Sequence, residues 1–69
     1  MIFKCRLKVM LAERDLQHGD FANRLGISRA AMSSLVNNRT LPSFSVAYRI
    51  SEELQTDIRD IWIRKEGEE

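Results

Sequence analysis

The side chains able to do chemistry in this chain gather between residues 18 and 40, and they are hydrogen-bond donors and cations. Ser28, Arg29, Ser33, Ser34, Asn37, Arg39 and Thr40 fall in one short stretch, with His18 and Asn23 just before it. From Phe21 to Ser51 the chain carries four arginines (Arg24, Arg29, Arg39, Arg49) and no acid. From Glu52 onward, seven acids outnumber Arg59, Arg64 and Lys65, while the first twenty residues are nearly balanced. The formal net charge of +1 hides this division. A cationic middle rich in hydroxyl and amide groups suits contact with a phosphate backbone.

The same inventory argues against catalysis. One histidine (His18) and one cysteine (Cys5) stand far apart in the sequence, and the acids lie mostly at the end. There is no glycine-rich phosphate loop and no CxxC or HxxxH metal spacing. At 69 residues there is little room for a concave, water-excluding site. The expectation is a non-enzyme without cofactor or metal. Cys5 reads as a half-buried small apolar residue, since a reactive thiol needs an electropositive, open setting. A single cysteine cannot form an internal disulfide. No apolar run approaches the roughly 20 residues of a membrane span, and no signal-peptide pattern opens the chain, so a soluble, cytoplasmic protein is expected. The length fits one domain over residues 1–69, small enough that a partner subunit would help its stability.

Periodicity places these residues on short helices. Leu7, Met10, Leu11 and Arg14 repeat at i, i+3, i+4, i+7, predicting a first helix over Arg6–Leu16. Phe21, Ala22 and Leu25 form the next apolar stripe, with Asp20 in its first turn and Gly26 as the stop. Ser28 caps a third helix whose inner face is Ala31, Met32 and Leu35, and Asn37-Asn38 ends it, asparagine tolerating the left-handed conformation. Pro42 breaks the chain and Ser43 caps a fourth helix with Phe44, Ala47, Ile50 and Leu54 inward. Asp57 with Asp60 resembles a capping box around one last turn. Residues 2–6 and 61–65 read as two short strands that pair antiparallel and close the domain. The fold class is all-α, with five helices and a small two-stranded terminal sheet; residues 66–69 are expected to fray. Phe21, Phe44 and Trp62 read as core, with an exposed Trp62 in a dimer contact as the other option.

Residues 18–37 form the central unit: a helix of about eight residues, a tight turn, and a capped second helix. Ala22 is small where the second helix crosses the first, and Gly26 supplies the positive φ of a sharp turn. Leu25, Ile27, Met32 and Leu35 fill the angle between the two helices. The outward face of the second helix is Arg29, Ala30, Ser33 and Ser34, short-chained and free of acid. A face of that kind fits the major groove, about 12 Å wide. This is the spacing of a helix-turn-helix.

With those residues in place, positions 7–62 resemble the Cro/CI-type (Xre-like) helix-turn-helix repressors of phages and bacteria. The resemblance is carried by FANRLGISRAAMSSLVNNRTLPS and by the YRISEELQTDIRDIW ending. It implies the five-helix, lambda-repressor-like fold, with the second and third helices reading DNA. Four positions depart from the family pattern: His18 replaces a glutamine, Val36 an acid, and Asn38 and Gln55 replace glycines. Carried over residue by residue, the resemblance implies that Ser28 bonds a phosphate and Arg29 reads a guanine. Ala30 would meet a thymine methyl, and Ser33 and Ser34 would touch base edges or backbone. Asn37, Arg39 and Thr40 would hold phosphates beyond the helix, with His18 and Asn23 on the flanking strand. The expected function is a sequence-specific transcriptional regulator that represses by occupying an operator in double-stranded DNA. It would act as a homodimer joined near Ile58, Ile61, Trp62 and Ile63, with a protein co-regulator as a further partner. The alternative is an interaction module, such as an antitoxin-like regulatory partner.

Overall fold

Local capping chemistry sets the helix boundaries. The structure, a computed structural model, describes residues 2–65; the tail at 66–69 lies outside them. Among the described residues the chain runs as β1 (Phe3–Cys5), α1 (Leu7–Glu13), α2 (His18–Leu25), α3 (Arg29–Val36), α4 (Phe44–Leu54), α5 (Ile58–Ile61) and β2 (Trp62–Arg64). Ser28 Oγ accepts from the Ala31 N–H at 3.0 Å and Ser43 Oγ from Val46 at 3.3 Å, each satisfying an orphan amide of the first turn. Asp57 accepts from the Arg59 N–H at 2.8 Å, so α5 starts on a single aspartate cap rather than on the reciprocal pair expected with Asp60. Gly26 closes α2 at φ 72°. A β-carbon there would touch nothing within 4 Å, so the backbone angle alone asks for glycine.

The first helix is shorter than its periodicity predicts. Asp15 enters the left-handed region at φ 55°, and the chain folds back so that Leu16 N–H reaches Leu11 O at 2.9 Å. Arg14, counted on the apolar stripe, is exposed. Its guanidinium donates to Met10 O at 3.3 Å, Leu54 O at 3.4 Å and Thr56 Oγ1 at 3.3 Å. One side chain therefore serves carbonyls at the C-terminal ends of both α1 and α4, where a cation is favoured.

The terminal strands pair antiparallel with Phe3 opposite Arg64, Lys4 opposite Ile63 and Cys5 opposite Trp62. Asn38 Nδ2 donates to Phe3 O at 2.9 Å, which joins β1 to the turn after α3. The core is built from Leu7, Met10 and Leu11 of α1, Phe21, Ala22 and Leu25 of α2, and Met32, Leu35 and Val36 of α3. Ala47, Ile50 and Leu54 of α4, with Ile61 and Trp62, complete it. Burying each large side chain of this set contributes roughly 1.5–3 kcal/mol.

Three expectations are corrected. Phe44 is 77% exposed: it sits at the first position of α4, beyond the layer that covers Ala47, Ile50 and Leu54, and it tilts against Tyr48 with ring centroids 5.9 Å apart. Ala31, counted on the inner face of α3, is exposed, while Val36 takes its place inside. Ile61 and Trp62 are 0% and 6% exposed, so these two side chains cannot form a contact surface for a second copy.

Candidate nucleic-acid interface

Ser28 begins α3 with its hydroxyl oxygen engaged by Ala31, which leaves the O–H proton free to be donated outward. Along α3, the inward arc is Met32, Leu35 and Val36. Opposite it, Ala30, Ser33 and Asn37 follow i, i+3, i+7 and form an exposed row. Asn37 Nδ2 donates back to Ser33 O at 2.9 Å and contacts Ser33 Oγ at 3.3 Å. Ser34 is half-buried beside this row, while Arg39 and Thr40 are exposed beyond the end of α3. The outward ridge of α3 is thus made of small side chains from end to end.

Arg29 lies on the flank of that ridge facing α2. A cleft of about 330 Å³ between the starts of α2 and α3 is lined by Gln17, His18, Gly19, Asp20, Arg29 and Met32. His18 is exposed at its mouth, and Asn23 is exposed one turn beyond Gly19 on the same side of α2. Gln17, the N-cap of α2, makes no side-chain cap bond. Among the described residues, the first amides of α2 therefore have no side-chain acceptor, an arrangement open to an anion. Of the residues singled out for DNA contact, Ser28, Arg29, Ala30, Ser33, Asn37, Arg39, Thr40, His18 and Asn23 are exposed, and Ser34 is intermediate.

The charge of the middle segment divides in space. Arg49 Nη2 donates to Arg24 O at 2.6 Å, and Arg24 pairs with Glu53 at 3.6 Å. Two of the four arginines thus fasten α2 to α4, and the acid that Arg24 meets comes from outside the acid-free stretch. The ion pairs among the described residues are Arg24–Glu53 and Arg59–Asp57, and Arg49 has the Arg24 carbonyl, so Arg29 and Arg39 are the middle arginines left with neither an acid nor a carbonyl partner there. The charge count took all four alike, because partners 25 or 29 positions away leave no local signal, and only the family resemblance set Arg29 and Arg39 apart. It also missed Gly19, which forms one wall of the cleft against Arg29.

Cys5 is set apart from this face. Its thiol donates to Leu35 O at 3.6 Å, and burial pushes its pKa up, with the backbone hydrogen bond at Leu7 pulling the other way. The thiolate is disfavoured there.

A family model for the Cro/C1-type HTH DNA-binding domain matches residues 6–66. The chain belongs to this family. A curated relative in Methanocaldococcus jannaschii, described as an uncharacterized HTH-type transcriptional regulator, is 31% identical over 65 residues, spanning 94% of this chain and 98% of the relative. The five helices and small antiparallel sheet of this Cro/C1-type domain agree with the all-α architecture read from the sequence. Among the described residues, no helix is long and apolar enough to cross a membrane.

Proposed function

We propose that this Cro/C1-type domain is a sequence-specific transcriptional regulator that represses by occupying an operator. The observation that carries this reading is the α3 ridge: Ala30, Ser33 and Asn37 exposed in one row, with Arg29 and Arg39, unpaired among the described residues, at its two ends. Laid in the major groove, α3 brings Arg29 to a guanine edge and Ala30 to a thymine methyl, with Ser33 and Ser34 against base edges or backbone. Ser28, His18, Asn23, Asn37, Arg39 and Thr40 hold phosphates on either side. Polymerase is then excluded by occupancy, and the domain performs no catalysis.

At eight residues α3 is about 12 Å long and spans only a few base pairs. Useful discrimination therefore calls for two copies on half-sites about 34 Å apart. The described sheet has only two strands, so β2 keeps an open edge, with Ile63 38% exposed on it. That edge, with half-buried Ile58, supports a homodimer contact in place of Ile61 and Trp62.

The test is selection of bound duplexes from a random DNA pool, followed by titration of the selected sequence at several salt concentrations. A palindromic consensus, an affinity that falls steeply with salt, and a loss on Arg29→Ala confined to one base position are expected. A protein that retains no sequence from the pool would overturn this reading. One observation favours the second reading, a protein-interaction module of antitoxin type or one with a co-regulator. Phe44 and Tyr48, 77% and 52% exposed, form an uncovered aromatic pair on α4. Absence of DNA selection together with capture of a defined protein partner that is lost on Tyr48→Ala would favour it.

A further inference from the structure

We propose that Gly19 is a positioning residue for Arg29, and that the pair governs how sharply the domain discriminates among DNA sequences. This rests on the DNA-binding reading above. Gly19 is the second residue of α2, a first-turn position with helical backbone, where alanine would restrict the unfolded chain more than glycine does. Its backbone does not ask for glycine, since Gly26 is the described glycine with positive φ. The requirement is space. A β-carbon on Gly19 would stand 2.9 Å from Nη2 of Arg29 and 3.3 Å from both its Cζ and its Nε.

The guanidinium therefore lies across the bare α-carbon of Gly19, on the α2 side of the reading helix. No ion pair among the described residues holds it there. Asp20 lines the same cleft without pairing with it. The close approach to Gly19 thus limits where an otherwise exposed, rotamer-rich side chain can go. A side chain already confined beside the groove-facing ridge loses less freedom when it meets a guanine edge. Prior ordering of one such side chain corresponds to about two- to tenfold in affinity. Alanine at position 19 pushes the end of the guanidinium away. Because that end is flexible, the fold accommodates the change while the seat is lost.

The experiment compares wild type, Gly19→Ala, Arg29→Ala and the double variant. Each is titrated against DNA selected by the wild type from a random pool and against a scrambled duplex, and each free protein is melted. Gly19→Ala is expected to raise Tm, to weaken binding to the selected DNA about two- to tenfold, and to leave binding to the scrambled duplex unchanged. In the Arg29→Ala background it is expected to have no effect on binding. Stability and specific affinity moving in opposite directions is a readout that a purely structural role would not give. Wild-type affinity in Gly19→Ala, a loss that persists without Arg29, or a fall in Tm alongside weaker binding each overturns the role of Gly19 while leaving the DNA-binding reading intact. A wild-type protein that selects no DNA overturns both.

Discussion

At Asn38 and Gln55 the chain keeps a backbone shape usually left to glycine, with φ of 57° and 51°. The two sites differ in what the side chain gives back. Asn38 bonds Phe3 O, while no hydrogen bond from the Gln55 side chain occurs among the described residues. Gln55→Gly is expected to stabilise the domain by about 0.5–1 kcal/mol by removing the left-handed penalty. Asn38→Gly is expected to show no such gain, because it also cuts the tie to β1. Chemical denaturation of the two variants checks both. Cys5 gives a pH signature. Burial raises its folded pKa above the ordinary 9.0, so the fold favours the neutral thiol. That contribution is complete below the unfolded value and is lost as pH climbs through the raised folded value. Stability is therefore expected to decline on the alkaline side of 9.0, and Cys5→Ala is expected to flatten the decline in melts taken across that range.

At the level of helices and strands, periodicity identifies a face but not whether anything covers it. Phe44 continues the stripe of Ala47, Ile50 and Leu54 one turn too far, and the body of the domain stops short of it. Phe44→Ser is expected to change stability by no more than about 0.5 kcal/mol, whereas Phe21→Ala, at 1% exposure, is expected to cost about 3–5 kcal/mol. Urea titration separates the two. The caps at Ser28, Ser43 and Asp57 and the turn at Gly26 were legible because each is a bond or angle within three residues of its cause. The end strands were legible from β-branched and aromatic residues at both termini. Less visible were the features that depend on packing. Arg14 closes two helix ends only once α1 and α4 meet, Arg24 and Arg49 find partners across the α2–α4 contact, and Gly19 matters only because α3 delivers Arg29 onto it. The outward row of α3 was readable from spacing; which middle arginines stay unpaired was not.

At the scale of the whole molecule, an almost neutral protein carries its cations in two roles. Arg24 and Arg49 hold helices together, while Arg29 and Arg39 stand at the two ends of α3, unpaired among the described residues. Removing a phosphate contact weakens binding to every sequence alike and lowers the salt slope by about 1 per contact. Arg39→Ala is expected to do this, whereas Arg29→Ala is expected to erase the preference at one base position; titrations over a salt series with selected and scrambled duplexes distinguish them. Against a body 35 × 22 × 21 Å, a reading helix about 12 Å long leaves most of the surface for other contacts, including the β2 edge and the aromatic pair on α4.

The bond from Asn38 to Phe3 has a practical bearing. The strand at the front of the chain is laced directly behind the far end of α3, so loosening that strand slackens the part of the molecule that would grip DNA. A bulky affinity handle fused ahead of Ile2 would pull on that lacing. Such a fusion should exchange the Asn38 and Arg39 amide protons faster and hold DNA less firmly, even where its melting temperature barely moves.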